Sequence, residues 1–333
     1  MDIKPVPRDL IAFLENYETY IILGHKEPDG DCIGSQLVLS SLLRRRGKRT
    51  ILLSMGPFTR TEILPYEHAF LDRIPDGLDL SSAAILILDC SSISRVGRIG
   101  DTLPDLPLAF IDHHAAGEAS GQVQYIDPKA PAVTRLIQAI MEAIGEEPTK
   151  EEAELLFFGL CTDTGFFRHL DETGADSFRA AYRLVERGAS PKRAFSSIYG
   201  GKSLFSRKLM GEILSRTEPY FDGRLLISYV TEEDHRRFGI ASRDSDMLYQ
   251  LLMTVAGVEA AVVIRQESEN NCTVGFRSRE CIDVGEIAVQ FGGGGHKLAA
   301  GLSIEGRIED VRERMLEAFD RRFVTKCNDF DRG

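Results

Sequence analysis

The stretch Tyr20–Ser35, with the sequence YIILGHKEPDGDCIGS, decides the fold of this chain. It opens with four apolar residues, continues through a turn rich in Gly and Asp, and enters an apolar-periodic helix that runs to Arg46. A short apolar run bounded by turn residues is typical of a strand buried on both faces. The stretch therefore predicts a β-strand, a polar loop and a helix in immediate succession.

Three more apolar runs follow in the first half of the chain, at Thr50–Ser54, Ala84–Leu88 and Leu108–Ile111. Strands without polar alternation are typical of a parallel sheet that helices cover on both faces. Thr149, with Glu152 three residues later, predicts a capping box that begins a helix. We therefore predict an α/β fold with a parallel sheet flanked by helices in its N-terminal domain.

The second half carries another α/β pattern after a helical segment. Its predicted strands are Arg224–Val230, Val258–Arg265 and Thr273–Phe276, and its predicted helices are Asp244–Ala256, Val284–Phe291 and Ile308–Phe323. A length of 333 residues is about twice that of a usual domain. We therefore predict a first domain at residues 1–190, a helical linker at 191–217 and a smaller α/β domain at 218–325.

Composition excludes several classes of protein. With 40 basic and 51 acidic residues, the formal net charge is -11. This balance excludes a protein held on nucleic acid by bulk positive charge but allows a locally basic pocket. The six cysteines are scattered, the charged N-terminus is unlike a signal peptide, and no apolar run reaches the ~18 residues of a membrane span. We therefore expect a soluble cytoplasmic protein that does not associate with a membrane.

Acidic residues and histidines follow the predicted strands and one predicted helix. They are His25, Asp29, Asp31, Asp89, Asp112, His113, His114 and Asp163. Each alone has a structural explanation, because Asp and Gly are common in turns and an Asp after a strand often caps a helix. In an open parallel sheet, however, the residues beyond the carboxyl ends of the strands meet at one edge. We therefore expect these side chains to lie together.

Five aspartates and three histidines at one edge would destabilise the fold unless a cation lay among them. Mixed carboxylate and imidazole donors suit manganese, magnesium or zinc. The carboxylates outnumber what one ion needs, and two neighbouring ions can activate water and stabilise the leaving oxygen of a phosphate ester. The residues therefore predict a metal-dependent phosphoesterase.

The ordered motifs HxxPDGDxxGS, a strand-end Asp, DHH and TDTG resemble those of the DHH phosphoesterase superfamily. Gly292–His296 followed by Ala299–Gly301 resembles the DHHA1 substrate-binding domain, with Phe276–Arg279 matching its arginine segment. The resemblance covers residues 21–323. Within the superfamily, the compact two-domain plan is most similar to the bifunctional oligoribonuclease and pAp phosphatase group, the NrnA-like proteins.

The resemblance implies a role for each motif residue. It assigns one Mn²⁺ to His25, Asp29 and Asp89, with Mg²⁺ or Co²⁺ as alternative metals. A second ion would be bound by Asp31, Asp89, His113 and Asp163, so that Asp89 bridges the two. His114 would contact the scissile phosphate. The implied catalytic residues are therefore His114, through this contact, and Asp89, through its bridging position. Asp112 would orient a neighbouring ligand histidine rather than bind metal.

The second domain is expected to bind the substrate away from the cut. Consecutive glycines allow close approach of the backbone, and their amides can form a concavity for an anion. Arg277 offers a planar fork for bidentate phosphate contact. The substrate-binding residues implied by the resemblance are Arg277, Ser278, Gly293, Gly294, Gly295 and His296, together with His114.

The sequence leaves several functions open. The leading hypothesis is a manganese-dependent hydrolase that degrades short oligoribonucleotides to mononucleotides and converts pAp to AMP. One alternative is a phosphodiesterase for cyclic or linear dinucleotides such as c-di-AMP, pApA or pGpG, and another is a nucleotide sensor without turnover. The acidic chain offers no extended basic track, so we expect no long duplex DNA as a partner. Exposed apolar residues of the connecting helices are compatible with a homodimer.

Overall fold

The computed structural model describes residues 3–114, 121–239, 244–279 and 281–326. The chain forms two compact units, Met1–Gly201 and Lys202–Gly333. The helix Pro191–Tyr199 belongs to the first unit and the helix Leu204–Ser215 to the second, so the two helices of the expected linker are divided between the units. The domain boundaries drawn from the sequence remain a prediction.

The first unit contains the predicted parallel sheet. Its strands are β1 (Thr19–Leu23), β2 (Arg49–Leu53), β3 (Ala83–Leu88), β4 (Leu108–Asp112) and β5 (Val123–Ile126). They lie in the order β2-β1-β3-β4-β5, and every pair is parallel. All residues of β1 and β3 are buried, which confirms the prediction drawn from their continuous apolar runs.

Helices flank this sheet. They are α1 (Arg8–Asn16), α2 (Gly30–Arg45), α3 (Val133–Ala143), α4 (Lys150–Asp163), α5 (Ala175–Glu186) and α6 (Pro191–Tyr199). The predicted capping box is present at the start of α4, where the Thr149 side chain accepts from the amide of Glu152 and the Glu152 side chain accepts from the amide of Thr149. Helix α2 follows β1 through the polar loop, so the loop and the first turn of α2 lie at the carboxyl end of the sheet.

The second unit has a mixed sheet of six strands. They are β6 (Glu218–Tyr220), β7 (Leu225–Val230), β8 (Ala260–Ser268), β9 (Asn271–Ser278), β10 (Gly294–His296) and β11 (Ala299–Glu305), in the order β10-β11-β9-β8-β7-β6. The helices are α7 (Leu204–Ser215), α8 (Glu232–Phe238), α9 (Ser245–Met253), α10 (Val284–Gln290) and α11 (Ile308–Lys326). Strand β7 runs parallel to β8, and the other neighbours are antiparallel.

The glycine-rich segment is part of the second sheet. Gly294–His296 forms the short edge strand β10, which pairs with β11 in the register Gly294 to Gly301. The amide of Gly293, just before this strand, donates a hydrogen bond to the carbonyl of Ala288 near the end of α10. The consecutive amides therefore do not form a single open concavity.

No helix among the described residues is both long and apolar enough to span a membrane. The described cysteines are Cys32, Cys90, Cys161, Cys272 and Cys281, and all five are free thiols. Cys327 lies outside the described residues.

Candidate active site

Three neighbouring strands deliver the predicted site residues to one edge of the first sheet. His25 lies two residues after β1, Asp89 directly follows β3, and Asp112 ends β4. Because β1, β3 and β4 are adjacent and parallel, their carboxyl ends coincide. Helices α2 and α4 add Asp31 in the first turn of one and Asp163 at the last residue of the other.

Asp89 lies at the centre of the cluster. Its Oδ2 is 3.4 Å from Nε2 of His25, and its Oδ1 is 3.5 Å from Nε2 of His113. The side chain is only 2% exposed, and Oδ1 accepts no hydrogen bond from the described residues. Asp89 also has a φ of 60°, a left-handed conformation that Asp tolerates better than most residues. The two oxygens therefore face two different histidines from a buried and constrained position.

Backbone carbonyls fix both of these histidine rings. Nδ1 of His25 lies 2.8 Å from the carbonyl of Lys26, and Nδ1 of His113 lies 3.1 Å from the carbonyl of Ala130. With Nδ1–H donated to a carbonyl, Nε2 of each ring faces the carboxylates with its lone pair available to a metal. The fold thus selects the tautomer that a metal ligand requires.

Asp29 and Asp31 are tied to helix amides. Oδ1 of Asp29 caps α2 by accepting from the amides of Asp31 and Cys32, which leaves Oδ2 3.9 Å from Nε2 of His25. Fully buried Asp31 accepts from the amides of Val133 and Thr134 at the start of α3. Those amides compensate part of the cost of burying the two carboxylates.

Thr134 is a site residue that the sequence did not reveal. Its Oγ1 donates to Oδ1 of Asp31 at 2.6 Å and fixes that carboxylate at the start of α3. The two residues are 103 positions apart, and a Thr in the first turn of an apolar helix is a common feature. No local signal in the sequence pairs Thr134 with Asp31.

Asp163 and His114 complete the cluster. Oδ2 of Asp163 is 3.1 Å from Nε2 of His113, and Asp163 is more exposed than Asp89. His114 is 39% exposed, and its Nδ1 lies 2.8 Å from Oδ1 of Asp112. The same Asp112 oxygen accepts from the amides of His113 and His114. Asp112 therefore orients the ring of His114, and its expected role of orienting a histidine that binds metal remains a prediction.

Charges in this cluster raise the affinity of the histidines for protons. Burial lowers the pKa of His25, but the neighbouring Asp89 and Asp29 carboxylates raise it to about 9. Likewise, burial opposes protonation of His113, but Asp163, Asp89 and Asp31 raise its pKa to about 12. Burial and the other carboxylates raise the pKa values of Asp29 and Asp31. The carboxylates of the cluster therefore repel one another, and a cation among them would relieve this repulsion.

The donor set fits divalent metal ions. Three groups of side chains bring their donor atoms within 4.8 Å of one another: His25, Cys32 and Asp89; Asp31, His113 and Asp163; and Asp89, His113 and His114. Carboxylate and imidazole donors suit hard or borderline cations. The unpartnered Oδ1 of Asp89 is the kind of buried oxygen that a cation satisfies. Cys32 was not predicted as a metal ligand from the sequence. Its sulfur accepts a hydrogen bond from Nε2 of Gln36 at 3.3 Å.

The predicted substrate-binding residues of the second unit fall into two groups. Arg277 lies on β9, and Gly294, Gly295 and His296 form exposed β10. By contrast, the Ser278 hydroxyl donates to the carbonyls of Ile282 and Lys297 and is buried. Gly293 packs against β11, where a Cβ would lie 2.5 Å from the carbonyl oxygen of Gly301. Ser278 and Gly293 therefore have evident roles in the fold.

Comparison with known proteins agrees with the motifs. Residues 19–160 match the DHH family, N-terminal domain, and residues 222–325 match the DHHA1 domain. The bifunctional oligoribonuclease and PAP phosphatase NrnA of Thermus thermophilus is 32% identical over 89% of this chain and 88% of its own length. The Bacillus subtilis protein of that name is 26% identical over 89% of this chain and 92% of its own.

A solved structure shares the whole fold. It is an exopolyphosphatase-related protein from Bacteroides fragilis, which matches with a TM-score of 0.83 over 94% of this chain and 95% of its own. The two sequences are 22% identical, so this likeness concerns the fold alone.

Proposed function

This chain belongs to the DHH family and is a phosphoesterase that acts on nucleotides, and we propose that it hydrolyses short oligoribonucleotides to mononucleotides and pAp to AMP. The observation that carries the proposal is the position of Asp89, with one oxygen facing His25 and the other facing His113. A carboxylate placed in this way suits the bridging role in a pair of metal sites, and paired ions suit the cleavage of phosphate esters.

We propose that His25, Asp29 and Asp89 hold one ion and that Asp31, Asp89, His113 and Asp163 hold the other. Bound divalent ions, proposed to be Mn²⁺ with Mg²⁺ or Co²⁺ as alternatives, would supply Lewis-acid activation of water and of the phosphoryl group. The fold itself orients the proposed ligand side chains. Backbone carbonyls orient the two imidazoles, and helix amides hold Asp29 and Asp31. Little reorganisation is then needed when the metals bind.

His114 is proposed to contact the phosphate that is cut. Its Nδ1 lies 2.8 Å from Oδ1 of Asp112, and this contact orients the ring. The opposite ring nitrogen, Nε2, is then the atom proposed to contact a phosphoryl oxygen. Removal of Asp112 would leave the ring free to rotate and would weaken this contact.

Binding of the rest of the substrate is proposed for the second unit. Arg277 supplies a guanidinium for a second phosphate, and the exposed edge strand with Gly294, Gly295 and His296 supplies backbone groups and an imidazole. Phosphate binding by Arg277 suits a substrate that carries more than one phosphate. Short oligonucleotides and pAp meet this requirement.

Product analysis tests the proposed function. Purified protein with Mn²⁺ is incubated separately with pAp, pApA, pGpG, a 5-mer RNA, a 24-mer RNA and cyclic di-AMP. We expect rapid turnover of pAp and the short RNAs and little of the 24-mer. Preferential turnover of cyclic di-AMP would instead establish a cyclic-dinucleotide phosphodiesterase, and binding without product would establish a sensor.

Asp89→Asn is the appropriate inactive variant. Asn tolerates the left-handed φ of 60° at this position, whereas Ala would add backbone strain of about 1 kcal/mol to the loss of the carboxylate. Because Asn carries no charge and binds metal more weakly, we expect activity to fall by at least 100-fold. Unchanged turnover in Asp89→Asn would refute the bridging role of Asp89.

A further inference from the structure

Strand β9 presents alternate residues to its two faces. Cys272, Val274, Phe276 and Ser278 are buried, whereas Thr273, Gly275 and Arg277 are half-buried on the opposite face. The guanidinium carbon of Arg277 lies 4.9 Å from the centre of the Tyr249 ring of α9. The proposed phosphate-binding arginine therefore stacks on an aromatic side chain of the same unit.

The Arg277 guanidinium has two other contacts, a hydrogen bond and a weak ion pair. Nη1 donates to the carbonyl of Phe276 at 2.9 Å. Nη2 lies 3.8 Å from Oδ1 of Asp246, a side chain that is 80% exposed. An ion pair with so exposed a partner is weak, because water and salt screen it. The Tyr249 ring and the Phe276 carbonyl are therefore the contacts that hold the guanidinium.

Tyr249 is itself held rigidly. It is 4% exposed, and its hydroxyl packs so closely against Gly275 of β9 that a Cβ at residue 275 would clash with it. The adjacent Arg265 of β8 donates from Nη2 to the hydroxyl of Ser245, the first residue of α9. These contacts pack α9 and the Tyr249 ring closely against the sheet. A buried and fixed ring is a suitable platform for a cation.

We propose that Tyr249 is a positioning residue that holds the Arg277 guanidinium for bidentate contact with a substrate phosphate. This inference rests on the proposed role of Arg277 in substrate binding. With one face against the ring and Nη1 bound to Phe276, the edge formed by Nε and Nη2 is left for an anion, which would displace the weakly held Asp246 carboxylate beside Nη2. The arginine loses less conformational entropy on binding, because Tyr249 has already ordered its side chain.

Steady-state kinetics on the manganese-loaded full chain tests this proposal, with pAp as the substrate that has a second phosphate. Bis(p-nitrophenyl) phosphate, which lacks a second phosphate, is the comparison. We expect Tyr249→Leu to raise KM for pAp by about 2- to 30-fold, the range that corresponds to a cation–π contact. Values of kcat for both substrates and KM for bis(p-nitrophenyl) phosphate should stay within twofold of wild type. Tyr249→Phe keeps the ring and should also stay within twofold.

A double-mutant cycle separates positioning from a purely structural role. If Tyr249 acts through Arg277, then Tyr249→Leu should have no further effect on KM in an Arg277→Ala background. An equal rise in KM in both backgrounds would overturn the proposal, as would a Tyr249→Phe variant as impaired as Tyr249→Leu. If Arg277→Ala alone leaves KM for pAp unchanged, the proposed role of Arg277 in substrate binding fails instead.

Tyr229→Leu is the matched control. The Tyr229 ring lies 5.4 Å from the guanidinium of Arg216 in the same unit, so this variant removes a comparable contact away from Arg277. We expect it to leave KM for pAp within twofold of wild type. An increase equal to that of Tyr249→Leu would show that any loosening of the second unit weakens binding, and this result would overturn the positioning role.

Discussion

Replacing Gly159 with Ala should disturb the candidate metal centre through packing alone. Gly159 lies in α4, and a Cβ there would clash with Cγ2 of Thr134 while lying 2.9 Å from its Oγ1. The same Cβ would be 3.0 Å from Oδ1 of Asp31. One methyl group would therefore push against both partners of the hydrogen bond that fixes Asp31. The residue itself is not a proposed ligand, so its effect tests how the fold supports the site.

The expected magnitude follows from three terms. Gly to Ala in a helix interior gains about 1 kcal/mol from lower backbone entropy. Overpacking of a filled core costs about 1–3 kcal/mol. Loss of the hydrogen bond from Thr134 to the Asp31 carboxylate costs about 1.5–3 kcal/mol more. We therefore expect Gly159→Ala to lower the free energy of unfolding by about 3 kcal/mol, which corresponds to about 6–12 °C in Tm for a unit of this size.

Thermal unfolding and manganese titration by calorimetry measure the two consequences. We expect the Kd for Mn²⁺ to rise by 10-fold or more, the usual effect of losing a residue that orients a metal ligand. Gly211→Ala is the control, because Gly211 is an exposed interior residue of α7 whose added Cβ would contact nothing within 4 Å. It should raise stability by about 1 kcal/mol. A Gly159→Ala protein as stable as Gly211→Ala, with unchanged affinity for Mn²⁺, would refute the reasoning.

Three further results are expected. Asp112→Asn should lower kcat about 10- to 100-fold with little change in the Kd for Mn²⁺, because Asp112 orients His114 and not a proposed ligand. A fall in kcat accompanied by an equal loss of affinity for Mn²⁺ would contradict this. Mn²⁺ at 100 times its Kd should stabilise the protein by about 2.7 kcal/mol for each occupied site in thermal melts, and Asp89→Asn should abolish that shift. Although burial raises the pKa of Asp234, contacts with Arg216 and Thr231 lower it overall, so its contribution to stability is present at neutral pH and is lost as the pH falls below ~4. The Tm difference between wild type and Asp234→Asn should therefore shrink as the pH falls below ~4, and a constant difference would contradict this assignment.

Burial explains which elements of the fold could be predicted. β1, β3 and β4 are covered on both sides, so their sequences are continuously apolar and predict strands without further context. Strand β5 was not predicted, because Val123–Ile126 is short and alternates buried and more exposed residues. Gly294–His296 has no preference for a strand, and pairing with β11 makes it one.

The same distinction applies to the site. The ligand candidates could be predicted because they lie in local motifs and at strand ends, which a parallel sheet brings together. Their supporting contacts could not, since Thr134 meets Asp31 and the Ala130 carbonyl meets His113 only after the chain has folded. The stack of Arg277 on Tyr249 is likewise a contact between a strand and a helix that no spacing in the sequence indicates.

The aspartates of the cluster are stabilised in different ways. Asp29, Asp31 and Asp112 each accept hydrogen bonds from two backbone amides, so the fold itself offsets part of their charge. Oδ1 of Asp89 accepts no hydrogen bond from the described residues, and two protonated histidines, working against the effect of burial, hold the Asp89 pKa at about 2. A histidine that binds metal cannot also be protonated. Under the proposed assignment, bound cations would take the place of those protons beside Asp89, so its stability would depend on occupancy of the site.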